Sequence, residues 1–563
     1  MASLKDTRTL FFTTSPRSPE KIKPEIELLT TNFSGYQWNS KTQVSFMDLL
    51  ARADFFEGNG YTKDKAFSAR DRINRAPKSL GLVDLSPKIS LTEAGQAFVY
   101  GKRPHEIFLR QLLKFQLPSP YHTHPKNSSS KFLIKPYLEI MRLIYALGSL
   151  SFDEIKIFGL KLTHYDKFDE IKNEVINFRK QKQQLQNGNY KKFVNDIWTN
   201  QLKHIFRNEI SNGNTKTRES NDDSINNFIK TKKSNARDYV DACFRYLRFT
   251  QLVSIKHTNR TIFFCKDKLE QVEFILENVD REPIFVTDEE EYKKYLANPS
   301  IPKLYTDNKS NILKSILKFK KHKKDELSHK GIEDLKDILQ DLTHQNKEAI
   351  IRGEIQKLKS YSLYEEIIAA FNHIMSNDYY DAPLMLEYNI WRAMTMINGG
   401  LISGNFKTDD EGQPLSTAIG NIPDIECDYG DFCLSVEVTM QSGQRQYETE
   451  GEPVARHYGQ MKKRVGKESY CLFIAPKINP ATLAHFFALN KMDISYYGGK
   501  SKIIPLELSL FIELLKKSYE FKNQPTPKNI QCFLDEVILG VSKSNNEIDW
   551  NQFIKKSVLG WLT

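Results

Sequence analysis

The sequence predicts a multidomain α+β protein: two winged-helix-like modules in the N-terminal half, a helical linker, and a C-terminal α/β domain. Three observations predict it. A chain of 563 residues exceeds what one hydrophobic core organises. Twice before residue 285 a basic helix runs into a pair of short strands. From residue 383 onward helical and strand patterns alternate, as in a sheet packed by helices.

The first module is expected over residues 1–110. Its clearest stretch is FSARDRINRAPKSLGLVDL followed by PKISLTEAGQAFV. Leu80-Gly81 closes a basic helix, and strands at 82–85 and 89–91 flank the turn at Ser86-Pro87. Arg72 and Arg75 lie three apart on one helix face, with Arg70 and Lys78 beside them. These side chains suit phosphates or guanine edges, and the residues alone leave a plain solvated face equally open.

The second module is expected over 111–285. PYLEIMRLIYALGSLSFDEIKIFGL reads as two helices meeting at Gly148, followed by polar helix to about 230. NARDYVDACFRYLRFTQLVSIKHTNRTIFFC then places Arg237, Arg245 and Arg248 on an amphipathic helix that enters strands at 252–256 and 260–265 through a His-Thr-Asn turn. Two such readers suit a DNA site longer than one recognition helix covers. Residues 286–376 turn to charged helical segments with apolar residues at i, i+3 and i+4, a spacer pattern. Its run Lys320-Lys321-His322-Lys323-Lys324 reads as a solvated face in preference to a phosphate contact.

Composition agrees with a polyanionic partner. Lysine plus arginine outnumber aspartate plus glutamate by 81 to 70, a formal charge of +11, and the isoelectric point is near 9.0. The six cysteines form no CxxC pair, which argues against a zinc site and a disulfide framework and fits a reducing cytoplasm. No stretch nears the roughly 20 apolar residues of a membrane span, and MASLKDTRTLFF lacks a long apolar leader core. A cytoplasmic protein with no membrane partner is therefore expected.

The chemistry is expected in the C-terminal domain, residues 377–563. NIPDIECDYGDFCLSVEVT places Asp424 before a hairpin that turns at Tyr429-Gly430 and Glu437 near the end of the returning strand. Strand alternation puts Leu434, Val436 and Val438 on one side and Cys433, Ser435 and Glu437 on the other. Two carboxylates brought together this way offer hard oxygen ligands to Mg²⁺. Taken alone, an Asp and a Glu a dozen residues apart are also commonplace surface carboxylates.

Upstream, a helix from Pro383 to about Asn398 places Glu387 on the apolar stripe of Ile390, Trp391 and Met394. A buried carboxylate must pair or coordinate, and either a metal or Arg392 or Arg456 would answer it. Downstream, Glu450 precedes a helix expected to open at Pro453, with His457 one turn inside. That histidine suits proton transfer, water positioning or phosphate contact, or is an ordinary polar helix residue. Arg456, Lys462 and Lys463 are candidate contacts to a DNA backbone.

Pro-Asp followed by Glu-Val-Thr on an apolar strand resembles the PD-(D/E)XK nuclease motif, with Thr439 where that motif carries a lysine. Over longer stretches the chain resembles the family of type IIS restriction and nicking endonucleases that includes MlyI, PleI, BstNBI and AlwI. The resemblance rests on TSPRSPEKIKPEIELL at 14–29, AFSARDRINRAPKSLGLVDL at 66–85, RQLLKFQLPSPYHT at 110–123, NARDYVDACFRYLR at 235–248, and the block from PDIE through EVTMQSGQRQYETEGEPVARHYG to YCLFIAP.

The resemblance implies a restriction-modification enzyme with N-terminal DNA recognition and a C-terminal nuclease, acting at a fixed distance outside a short asymmetric site, GAGTC by its MlyI, PleI and BstNBI branch. It implies catalytic residues at Glu387, Asp424, Glu437, Glu450 and His457, and Mg²⁺, with Mn²⁺ as substitute, on Asp424, Glu437, the Val438 carbonyl and Glu387. The family also has valine and threonine after the motif glutamate, so Val438-Thr439 marks no loss of activity.

The expected partners are double-stranded DNA, a transient homodimer or second nuclease subunit for the opposite strand, and a cognate DNA methyltransferase. Arg17, Arg70, Arg72, Arg75, Lys78, Arg237, Arg245 and Arg456 are the candidate DNA contacts. A strand-specific nickase and a DNA-binding regulator with a vestigial nuclease domain are the competing readings.

Overall fold

The structure is a computed structural model that describes residues 2–5, 7–53, 55–56, 63–126, 131–185, 189–397, 399–417, 422–521 and 524–562. It divides into two units, residues 1–256 with 260–342, and residues 257–259 with 343–563. Apart from residues 257–259, the two expected N-terminal modules and residues 286–342 of the expected linker thus lie in the first unit.

In the first unit the basic helix is Lys65–Ser79, started by the Asp64 side chain, which accepts from the Phe67 N–H. Gly81 follows in the left-handed region at φ +71°, and the short strands Val83–Asp84 and Ser90–Leu91 pair antiparallel behind it. The second basic helix is Ile225–Phe249, and the strands after it, Val253–Lys256 and Thr261–Phe264, also pair antiparallel. A third strand absent from the sequence reading, Leu150–Ser151, adds to the free edge of Thr261–Phe264.

Buried polar side chains explain why residues beyond 286 belong to this unit. Lys114 is fully buried on the helix Pro104–Lys114. Its Nζ donates to the carbonyls of Tyr295, Leu296 and Asn298, which end the helix Glu289–Ala297. Burial pushes its pKa down to about 6. Lys336 is likewise buried and meets Glu106 at 3.1 Å and Asp307 at 2.9 Å, while Arg110 holds the same Asp307 at 2.7 Å. Buried polar groups must be hydrogen-bonded and buried charges paired, so these contacts fasten the later helices to the earlier ones.

The second unit is built on a five-stranded sheet in the order Ile503–Glu507, Glu468–Ala475, Phe432–Val438, Ile425–Asp428, Leu401–Gly404. Its first three strands run parallel and the last two are antiparallel. The hairpin turns at Gly430, whose φ of +88° favours glycine, and registers Ile425 opposite Val436.

Every residue of Phe432–Val438 is buried, as for a central strand covered on both faces. Leu434, Val436 and Val438 join one core with the helix Ala382–Ile397 and the helix Leu508–Glu520. Phe473 and Cys471 of the neighbouring strand join another with Val454, Ala455 and Tyr458 of the helix Gln444–Val465. The expected end of the Glu387 helix at Asn398 lies outside the described residues. No helix among the described residues is long and apolar enough to cross a membrane.

Candidate active site

Asp424, Glu437, Glu450 and His457 meet where the central strand ends. Asp424 lies just before Ile425–Asp428, and its Oδ2 accepts from the Val438 N–H at 2.7 Å. Glu437, 6 % exposed, points to the face covered by the Gln444–Val465 helix. There its Oε1 stands 3.0 Å from His457 Nδ1. The hairpin explains the first meeting and strand alternation the second.

The helix carrying Glu450 and His457 begins earlier than expected. It spans Gln444–Val465 with Pro453 in its interior, instead of opening at Pro453. Proline removes one bond to the carbonyl four residues back. The preceding turns persist because Gln446 anchors them: its amide donates to the carbonyls of Gln441 and Lys477 at 3.0 and 2.9 Å, and its Oε1 accepts from the Asn479 N–H at 2.7 Å. Glu450 is thereby helical, two turns before His457 and on the same face.

Thr439 takes a part that the sequence did not disclose. It stands where the motif that this strand resembles carries a lysine, is buried, and its hydroxyl donates to Glu450 Oε1 at 2.9 Å. Its only sequence signal is a hydroxyl residue two places after the strand glutamate.

The electrostatics follow from burying carboxylates together. Burial holds the Asp424 carboxyl well above its usual value, reinforced by Glu437 and Glu450 and opposed by the Val438 hydrogen bond and His457. Burial, then Glu450, raises Glu437 well above its usual value, against Arg456. Burial also raises Glu450, opposed first by the hydrogen bond from Thr439. Burial lowers His457 and so favours neutral imidazole, with Arg456 acting in the same direction and the carboxylates opposing it.

Glu387 is 7 % exposed on the Ala382–Ile397 helix, which packs on the Leu434 and Val436 side of the strand. Arg392 on that helix pairs with Glu354 at 3.0 Å and Glu366 at 2.5 Å, and Arg456 pairs with Glu452 at 3.2 Å.

Most candidate DNA contacts are engaged within the first unit. Arg17 and Arg245 share Asp241 at 2.7 and 3.1 Å. Arg72 pairs with Glu25, Arg75 with Asp71 at 2.5 Å and Thr14 at 2.8 Å, and Arg70 with Gln43 at 2.8 Å. The Lys78 ammonium stands 4.8 Å from the Tyr121 ring centroid. Arg237 is exposed. Lys462 and Lys463 donate to the carbonyls of Lys500 and Tyr496 at 3.0 and 2.9 Å.

Comparison with known proteins follows the same direction. Two of the similar solved structures are restriction-endonuclease chains. One is the small subunit of the heterodimeric restriction endonuclease R.BspD6I, 23 % identical, matching 35 % of this chain and 99 % of its own with a TM-score of 0.31. The other is the BpuJ1 endonuclease binding domain, in complex with pyrene- and phenanthrene-modified DNA, 12 % identical, matching 51 % of this chain and 97 % of its own with a TM-score of 0.34. No curated protein matches the chain. The family described as AlwI restriction endonuclease matches residues 78–514, well over half of the sequence. The chain belongs to the AlwI restriction endonuclease family.

Proposed function

We propose that this protein is a type IIS site-specific DNA endonuclease. Its first unit, read as winged-helix modules, binds a short asymmetric site, GAGTC, and its second unit, read as a PD-(D/E)XK nuclease, hydrolyses phosphodiester bonds outside that site. The observation that carries the reading is the meeting of Asp424, Glu437 and Glu450 with His457 at one strand end.

Carboxylates buried together against one imidazole and one guanidinium are a donor set that fits a hard divalent cation. Asp424, Glu437 and the Val438 carbonyl would hold Mg²⁺, with Glu387 assisting. When bound, it supplies positive charge beside the scissile phosphate and lowers the pKa of water.

The chain's own groups then have distinct tasks. The Val438 N–H orients Asp424. Thr439 holds Glu450, and Glu450 lies beside Glu437 and His457. Neutral His457, favoured by burial and by Arg456, can take a proton from attacking water or orient it. Arg456 supplies positive charge near Glu437, where the motif lysine is missing.

One such constellation per chain cuts one strand at a time. Strand-specific nicking is therefore the second reading, with double-strand cleavage requiring a transient homodimer or a second subunit. Supercoiled plasmid carrying GAGTC, incubated with the purified chain and Mg²⁺, tests both. Cleavage that Asp424→Ala and Glu437→Ala abolish while DNA binding persists is the expected result. Accumulating open-circular product marks nicking, and concentration-dependent linear product marks dimerisation. Binding without cleavage by the unmutated chain would overturn the nuclease reading in favour of a DNA-binding regulator.

A further inference from the structure

Asp424, Glu437 and Glu450 bring three carboxylates to one end of the sheet. Arg456, the guanidinium beside Glu437, is shared with Glu452 at 3.2 Å. A phosphodiester nearing that end therefore meets negative charge first. At 0.15 M salt, a cation more than about 8 Å from an exposed phosphate is largely screened from it. The attraction that seats a DNA strand there has to come from cations at the rim of the cluster itself.

Two cations stand at that rim. The helix Gln444–Val465 runs back along the strand Phe432–Val438, with Glu450 at Thr439 and His457 at Glu437. Its first turn consequently reaches past the strand end, and Arg445 lies about 7–8 Å beyond Glu450 along the axis, at 1.5 Å per residue. On the neighbouring strand Glu468–Ala475, the Ile474 carbonyl accepts from the Thr439 N–H at 3.0 Å, and Lys477 follows three residues later.

Both side chains are exposed, and no ion pair or hydrogen bond engages either among the described residues. Their neighbours differ. On the same helix Arg456 pairs with Glu452, Arg464 pairs with Glu426 at 2.6 Å, and Lys462 and Lys463 donate to main-chain carbonyls. Lys467, at the other end of the strand that leads to Lys477, pairs with Asp428 at 3.2 Å.

One buried side chain holds the two together. Gln446, next to Arg445 and fully enclosed, donates to the Lys477 carbonyl at 2.9 Å and accepts from the Asn479 N–H at 2.7 Å. Their main chains are thus fixed relative to each other before any ligand arrives. Binding an anion there breaks no existing ion pair and orders little besides two side chains. An arginine fork matches two phosphate oxygens, and a lysine adds a point charge.

We propose that Arg445 and Lys477 bind backbone phosphates beside the scissile bond, on the strand being cut, and so position that strand over the carboxylate cluster. The proposal rests on the reading of the second unit as a nuclease. Both are positioning residues, since they act on phosphates that do not react.

The test uses the full chain and a GAGTC duplex, with Arg445→Gln, Lys477→Gln and the double variant. Lys556→Gln, from the exposed face of the helix Glu547–Gly560, is the control. Fluorescence anisotropy in chelator between 50 and 200 mM salt reads the contacts, and single-turnover cleavage at saturating enzyme with Mg²⁺ reads the positioning. The slope of log K against log salt is expected to fall by ~0.9 in each single variant and by ~1.8 in the double. Cleavage is expected to slow about 10- to 100-fold in the double variant, as for a misplaced reactant. Arg445→Lys, which keeps the charge, should retain most of the rate, and Lys556→Gln should change neither measurement. An unchanged slope in the double variant overturns the phosphate contacts, whether or not the chain cuts. A reduced slope with an unchanged rate overturns the positioning role. Absence of cleavage by the unmutated chain overturns the nuclease reading instead, and the slopes still report the contacts.

Discussion

Thr439 donates its hydroxyl to Glu450 across 2.9 Å, from the position where the nuclease motif that this strand resembles carries lysine. The residue supplies no charge, but it fixes a carboxylate that faces Glu437 and His457. Thr439→Val keeps the shape and deletes the donor. It is expected to slow single-turnover plasmid cleavage about 10- to 100-fold, the range of one hydrogen bond to a charged group at ~1.5–3 kcal/mol. Thr439→Ser, which keeps the hydroxyl, should retain most of the rate.

The carboxylate cluster sets stability against function. A carboxyl held above its unfolded value binds a proton more tightly when folded, so the stability from that proton is complete below the unfolded pKa and is lost as pH rises through the folded one. Asp424 and Glu437 are both shifted in this direction by burial. In chelator, the thermal midpoint of the second unit should fall as pH rises above the ordinary carboxylate range. Glu437→Gln should flatten that slope and raise the midpoint near neutrality, at roughly 2–4 °C per kcal/mol for a unit of this size. Mg²⁺ should raise the midpoint of the unmutated chain and leave that of Glu437→Gln nearly unchanged. Calorimetry at several pH values measures all three effects.

The hairpin bearing Asp424 and Glu437 was legible in the sequence, and the reason is local. Gly430 marks the turn, the strand residues are apolar, and the observed strands 425–428 and 432–438 flank the expected turn at Tyr429-Gly430 with Glu437 near the end of the second. Pro453 misled for an equally local reason, since proline favours the first turn of a helix. The groups that hold the earlier turns, Gln441, Lys477 and Asn479, lie up to 33 residues from Gln446. The spacing of the arginines at 70–75 predicts an outward face, yet Arg72 turns to Glu25, which lies 47 residues away and is fully enclosed. Pairings across such separations leave no periodic trace.

That Glu25–Arg72 pair carries its own pH dependence. Burial pushes the Glu25 carboxyl up to about 7, against the pull of Arg72 and Lys21. By the same sign, its contribution is complete below the unfolded pKa and is lost as pH rises through about 7. Glu25→Gln should therefore stabilise the first unit at pH 8, by up to ~3 kcal/mol at 1.36 kcal/mol per pKa unit, and make little difference at pH 5. Arg72→Ala should destabilise it, more at pH 8 than at pH 5, because the buried carboxylate loses its nearest cation. Hydrogen exchange on the helix Ile22–Phe33, which carries Glu25, localises both effects.

Arg237 and Arg245 lie on one helix and should separate DNA contact from structural support. Arg237 is exposed, so a phosphate can reach it without breaking an existing buried pair. Arg245 is tied to Asp241 at 3.1 Å, and Asp241 is buried and also holds Arg17 at 2.7 Å. If Arg237 neutralises one phosphate, Arg237→Ala lowers the slope of log K against log salt by ~0.9 and leaves the thermal midpoint unchanged. Arg245→Ala instead removes one of the cations paired with buried Asp241, so the midpoint falls while the salt slope holds. Fluorescence anisotropy on a GAGTC duplex between 50 and 200 mM salt (~10³- to 10⁵-fold in affinity for a protein with 6–10 phosphate contacts) resolves one lost contact. An unchanged slope in Arg237→Ala would place the DNA path elsewhere on the first unit, and a reduced slope in Arg245→Ala would mean that the Asp241 pair opens on binding.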